Sequence, residues 1–214
     1  RCGALRDETH GEGYCRQPTL PVVARAALHM WEEPVISGKR GAGTVFFSGC
    51  SLGCVFCQNG AISHQDFGKP ITTQRLGSIF QELEQQGAEC IDLVNPTHFA
   101  HVLPEAIRQS SVSIPFVWNS GGYDTVETVR ALSPYIHVWL PDLKYLSPDR
   151  AAKYSAAADY PEAAKAAIRE MFARSGPVAI ENGLLKRGTL IRHLLLPGCL
   201  FDAKAVMDWV AEAI

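Results

Sequence analysis

Short apolar runs alternate with helix-patterned stretches along most of the chain, and this alternation limits the fold more than any other feature. The apolar runs are TVFFS (44–48), CIDLVN (90–95), IPFVWN (114–119) and HVWLPDLKY (137–145). Between the first two, Leu76, Ile79, Phe80 and Leu83 fall at i, i+3, i+4 and i+7, with Thr72 or Thr73 as the cap and Gly87 as the stop. HVLPEAIRQ is a weaker helix candidate, Asp124 stands ready to cap TVETVRAL, and Asp159 with Pro161 opens PEAAKAAIREMFARSG. VAIEN and GTLIRHLLLP read as extended, and LFDAKAVMDWVAEAI as a closing helix capped by Asp202. Strand and helix alternate roughly five times, which predicts an α/β fold with a parallel sheet and right-handed crossovers, open or barrel-like. Ahead of this, VVARAALHMW (22–31) reads as a short apolar helix running into Glu32, Glu33 and Pro34. Those two acids, beside Lys39 and Arg40, read as solvated charges, with a functional edge as the alternative.

The loop after the first apolar run, GCSLGCVFCQNGAI, holds Cys50, Cys54 and Cys57 as C-x3-C-x2-C, with Phe56 before the last cysteine. Thiolates are soft ligands that select iron–sulfur clusters, zinc or copper(I). Three cysteines hold three irons of a cubane [4Fe–4S] cluster and leave the fourth open, as sites that admit a ligand are. The alternative is a zinc knuckle with Cys90 or a histidine as fourth ligand. Zinc sites more often pair two C-x2-C units, or C-x2-C with H-x3-5-H, and neither pattern occurs in this sequence.

In parallel α/β sheets, ligands sit at the carboxyl ends of the strands. The polar residues at those ends are Asn95 to His98, Asn119 to Gly122, the Asp142-Leu143-Lys144 stretch, and Arg192-His193. Alternation puts Asp142 and Lys144 on one face, suited to a zwitterionic ligand or to an ordinary salt bridge with each other. Arg192 interrupts an apolar run, where an unpaired charge would be costly, so it is either paired with an acid or kept for an anion. His98, His101 and His193 read as hydrogen-bonded structural residues. Gly121 and Gly122 are not part of any phosphate-loop pattern, which argues against nucleoside triphosphate and dinucleotide chemistry.

The 214 residues are 47% hydrophobic and 20% charged, an ordinary globular composition. A net charge of −2 gives no field toward nucleic acid or an acidic membrane, and no apolar run approaches a membrane span. Seven cysteines without a paired framework predict metal binding in a reducing cytoplasm. The organisation expected is a cysteine-containing lead-in and short helix over 1–40, then a core over 41–214. A start at Arg1 and an end inside a helical pattern are expected of a fragment.

HMWEEPVISGKRGAGTVFFSGCSLGCVFCQN, VNPTHF, PDLKY, YSAAADYPEAAKAAIREM and LIRHLLLPG resemble the radical S-adenosylmethionine (SAM) superfamily, most closely the branch related to pyruvate formate-lyase-activating enzyme. The resemblance implies a partial (β/α)6 barrel, here incomplete at its C-terminus. It also implies a [4Fe–4S] cluster on Cys50, Cys54 and Cys57 that cleaves SAM to methionine and a 5′-deoxyadenosyl radical, which takes hydrogen from a substrate. Phe56 belongs to the cluster signature. Lys144 in the D-L-K stretch with Asp142, and Arg192 before the apolar run, fall on cofactor positions. Asn95 to Thr97 replace the Gly-Gly-Glu-like motif that holds the SAM amino group. Asn119 and Ser120 stand where, with Asp142, activating enzymes hold a monovalent cation; the side chains differ here. The implied partners are a flavodoxin- or ferredoxin-type reductant and a substrate that is either a glycyl-radical enzyme or a smaller molecule. Cys2 and Cys15 resemble the end of a cysteine-rich segment. The competing expectation is a non-catalytic zinc- or cluster-binding module on the same fold.

Overall fold

The computed structural model describes residues 3–214, so Cys2 lies outside the described residues. The regular elements are β1 (Val22–His29), α1 (Pro34–Ser37), β2 (Ala42–Phe47), α2 (Gly60–His64), β3 (Lys69–Pro70), α3 (Thr73–Gln85), β4 (Ile91–Val94), α4 (Leu103–Ser110), β5 (Phe116–Ser120), α5 (Val126–Leu132), β6 (Val138–Pro141), α6 (Pro148–Ser155), α7 (Tyr160–Ser175), β7 (Ala179–Glu181), β8 (Leu184–Thr189) and α8 (Leu200–Ala213). They build one eight-stranded sheet in the order β3-β1-β2-β4-β5-β6-β8-β7. Strands β2, β4, β5, β6 and β8 are parallel neighbours in chain order, while β1 and β7 pair antiparallel at the two flanks.

Parallel strands laid down in chain order through right-handed crossovers put their helices on one face. That face joins Val45, Phe47, Leu93, Phe116, Trp118 and Trp139 of the strands to residues from α3, α4, α5 and α7. Leu76, Phe80 and Leu83 of α3 are the expected stripe, and burying each contributes roughly 1.5–3 kcal/mol. The helix starts where Thr72 accepts a bond from the Arg75 N–H and ends before Gly87, at φ +90°. On the other face, Ala42, Cys90, Val117, Val138 and Leu140 pack under Ile36 of α1 and Leu185 of β8. Trp118 and Val117 thus point to opposite cores, as strands buried on both sides require.

Several local expectations are corrected. The stretch 22–31 is a strand, β1, over most of its length: its backbone pairs with β2 on one side and β3 on the other, which outweighs the helix propensity of its alanines. Helix α5 is capped by Thr125, which accepts from the Thr128 N–H; Asp124 is drawn inward instead. Asp159 stands at the α7 cap position without capping it, and its carboxylate accepts from the Tyr123 hydroxyl. Asp202 lies within the first turn of α8, buried, accepting from the Leu146 N–H. The strand expected over GTLIRHLLLP begins earlier, after a turn at Asn182 and Gly183, both at positive φ, and ends at Thr189. Arg192 sits beyond it in a single parallel bridge to Asp142.

Candidate metal and cofactor site

The strand ends gather the expected residues on one rim. Strand β2 runs through buried Ser48 and Gly49 into the cysteine loop. Gly49 takes φ +77°, and a Cβ there would lie 2.8 Å from the Cys15 carbonyl, so the N-terminal arm is packed directly on the loop. The six described cysteines are all free, and Cys50, Cys54 and Cys57 each have a polar neighbour at the sulfur. Asn95 Nδ2 lies 3.1 Å from Cys50 Sγ, with the Leu52 N–H at 3.4 Å. Ser155 Oγ lies 2.9 Å from Cys54 Sγ, and Ser63 Oγ 3.3 Å from Cys57 Sγ. Burial pushes the free Cys50 thiol up to about 11 and raises that of Cys54, with Lys144 opposing the second shift. Such thiols stay protonated at neutral pH until a metal replaces the proton. Phe56 packs edge-on against Tyr145, with ring centroids 6.5 Å apart.

Among the described residues, no three His, Cys, Asp or Glu side chains are drawn together as a single ion requires. Cys90, the sulfur suggested as a fourth zinc ligand, lies in the opposite core and donates to the Ile36 carbonyl. In a cubane, by contrast, each thiolate meets a different iron, and donors to the sulfurs suit thiolate ligands. The three cysteines therefore fit a cluster better than a lone ion.

Beside the loop lies a charged network. Arg192 donates to Asp142 at 3.0 Å, to Glu32 at 2.9 Å and to Asn119 Oδ1 at 2.5 Å, and pairs with Glu33 at 3.5 Å. Lys144 Nζ pairs with the other Asp142 oxygen at 2.5 Å. Burial works against the Lys144 charge, but Asp142 and Cys54 outweigh it and raise its pKa. The sequence requirement that Arg192 find an acid is met. Glu32 and Glu33, read as solvated, are its partners, and the Glu32 side chain is only 11% exposed. Asn119 and Asp142, expected at a cation position, both hold this guanidinium, while Ser120 turns to Asp124.

Asp92, fully buried under the network, was not anticipated. Its Oδ2 accepts from Thr44 and Asn119, and its Oδ1 has no hydrogen-bond partner among the described residues. Burial and the nearby Asp92 charge push Glu32 up to about 9, and burial pushes Asp92 to about 6 against the pull of Arg192. A carboxyl whose folded pKa is raised gives stability that is complete below its unfolded value and is lost as pH climbs to the folded one. Glu32 thus withdraws stability between about 4.5 and about 9. His98, held neutral by burial at about 4 against 6.5, adds stability as pH rises to 6.5, and the raised Cys50 and Cys54 thiols withdraw it only as pH nears 9.0, so between those limits the Glu32 loss dominates. Urea unfolding is expected to show stability falling from pH 6.5 to 9, and Glu32→Gln to flatten the fall; an equal slope in the variant refutes the assignment.

His98 Nε2 donates to the Ser48 carbonyl, His101 Nε2 to that of Thr19, and His193 Nδ1 to that of Leu143, the structural roles expected. A cavity of about 460 Å³ opens beside the cysteine loop, lined by Arg6, Tyr14, Cys15, Ser51, Thr97 and Tyr123, among others. No helix among the described residues is long and apolar enough to cross a membrane. The residues missed by sequence reasoning are Ser63, Asp92, Asp124 and Ser155, while Glu32 and Glu33 enter it as a functional edge but are favoured as solvated charges.

A family described as "4Fe-4S single cluster domain" matches residues 37–141, just under half of the chain, and that span includes the three cysteines. An uncharacterised protein of Methanocaldococcus jannaschii is 28% identical across 99% of this chain, which spans 60% of that protein's length. With three cysteines in one loop at the end of a parallel strand, the family likeness supports a 4Fe–4S cluster on this chain.

Proposed function

We propose that this protein is a radical SAM enzyme built on a partial (β/α)6 barrel, with its cofactors on the rim just described. The observation that carries the reading is the Asp142–Lys144–Arg192 network standing beside three cysteines whose sulfurs all have polar neighbours. When bound, the cluster supplies one electron to the SAM sulfonium, which yields methionine and a 5′-deoxyadenosyl radical. The chain's own residues bind and orient. Lys144 and Arg192 offer cations to the methionine carboxylate, and Asp142 an acceptor to its amino group. A carboxylate taken up at Arg192 displaces Glu32, whose proton lets it leave without baring a second charge. Phe56 and Tyr145 wall the loop against water. While Arg192 holds Asn119 and Asp142, a monovalent cation has no place of its own between them.

The substrate is proposed to enter the cavity between the N-terminal arm and the strand ends, whose size falls within the roughly 300–1,000 Å³ of small-molecule sites. Thr97 and Ser51 line it and connect it to the cysteine loop. A glycine Cα of a glycyl-radical enzyme and a smaller molecule both remain within this reading, with a flavodoxin- or ferredoxin-type protein as electron donor.

Anaerobic reconstitution, reduction and electron paramagnetic resonance test it. A [4Fe–4S]+ signal that shifts on adding SAM, with 5′-deoxyadenosine formed, is the expected result. Lys144→Ala is expected to raise the Kd for SAM about tenfold or more, the cost of one charge-assisted bond, with the cluster signal kept. A signal indifferent to SAM, or a protein that takes up only zinc, overturns the reading in favour of a non-catalytic module.

A further inference from the structure

Cys50 stands at the end of a partly buried run of side-chain hydrogen bonds that crosses three strand ends. Asp124 is 1% exposed; its Oδ1 lies 2.8 Å from Thr97 Oγ1, and its Oδ2 accepts from Ser120 Oγ at 2.6 Å. Thr97 Oγ1 is also 3.0 Å from Asn95 Oδ1, and Asn95 Nδ2 is 3.1 Å from Cys50 Sγ. The residues come from the loops after β4 and β5 and act on the loop after β2.

The direction of this run follows from donor arithmetic. A cluster-bound thiolate has no proton, so the Asn95 group facing it must be the amide NH2 and not the carbonyl. That places Asn95 Oδ1 toward Thr97, whose hydroxyl proton it shares with Asp124. Without Thr97 the Asn95 amide loses what fixes its turn; Asp124 accepts the same single hydroxyl proton and so competes with Asn95 for it. We infer that Asn95 and Thr97 form a positioning relay that sets the reduction potential of the cluster held at Cys50. The inference rests on the cluster reading above.

The step concerned is the transfer of one electron from an external low-potential reductant to [4Fe–4S]2+, giving [4Fe–4S]+, with no bond made or broken. An N–H directed at a ligating sulfur stabilises the more negative, reduced state and so raises the potential. Removing it makes the cluster harder to reduce. Ser155 and Ser63 serve the other two sulfurs by single contacts, so the relay makes Cys50 the corner whose donor is fixed from furthest away.

The test is a redox titration of reconstituted protein with dithionite, followed by the [4Fe–4S]+ resonance. Asn95→Leu and Thr97→Val are each expected to lower the equilibrium constant for reduction about tenfold, a shift of about 59 mV to more negative potential. Thr97→Ser, which keeps the hydroxyl, is expected to restore the wild-type value. A residue with a merely structural role would not track the hydroxyl in this way. If Asn95→Leu loses its iron, Thr97→Val decides, because it leaves Asn95 in place. Potentials unchanged in iron-replete variants overturn the relay. A wild-type protein that takes up no cluster overturns both the relay and the reading beneath it.

Discussion

Cys54→Ala is expected to lose cluster uptake and SAM cleavage together. The variant keeps two thiolates on the loop, Cys50 and Cys57, so two corners of a cubane would have no protein ligand. The loss will not come from unfolding. Cys54 is a small buried side chain whose removal leaves a slight cavity and one unmatched hydroxyl on Ser155, which itself keeps Tyr145 at 3.2 Å. Together these cost about 1–2 kcal/mol, well within the roughly 5–15 kcal/mol of an ordinary domain. Iron content and visible absorbance after anaerobic reconstitution, read beside far-ultraviolet circular dichroism, separate the two causes. A folded variant that retains wild-type iron and absorbance removes Cys54 from the ligand set.

Arg192→Ala is expected to damage both the fold and the cofactor site. Taking one partner from a buried ion pair commonly costs about 3–5 kcal/mol, because it strands the other charge. Here the loss is smaller, about 2 kcal/mol, since Asp142 keeps Lys144 and Glu32 can keep its proton. For a chain of this size that lowers Tm by roughly 4–8 °C. The deficit should grow at high pH, where Glu32 loses the proton that spares it. Calorimetry at pH 6 and pH 9 reads both effects, and an equal deficit at the two pH values refutes the part given to Glu32. SAM affinity should fall more than in Lys144→Ala, because Arg192 gathers four oxygen-bearing side chains into place.

What the sequence revealed and what it hid divide along physical lines. The α3 stripe, its Thr72 cap and the strand runs were legible because burial period and local capping are written in neighbouring residues. Arg192 announced its need for an acid through the apolar residues around it. The identity of that acid was hidden, because Glu32 lies 160 positions away and reads locally as one of two charges beside a basic turn. Strand β1 was hidden because VVARAALH has no strict alternation and its alanines favour helix; pairing on both edges decided the matter. Asp124 and Asp202 precede or open helical patterns, so local rules offered them as caps. Tertiary demand took them inward, leaving Thr125 and Cys199 at the cap positions. Ser155 carries no pattern at all, since a hydroxyl that faces a sulfur 101 residues away leaves no periodic trace.

The cysteine loop is not buried evenly. Cys54 is nearly enclosed, yet Val55, its neighbour along the chain, is 75% exposed. A single peptide unit therefore separates the enclosed Cys54 from a side chain open to solvent. The N-terminal arm, by contrast, screens the Cys50 side of the loop through Cys15 and Gln17. The loop thus has two unlike flanks: one opens to solvent at Val55, while the other lies under the N-terminal arm beside the cavity.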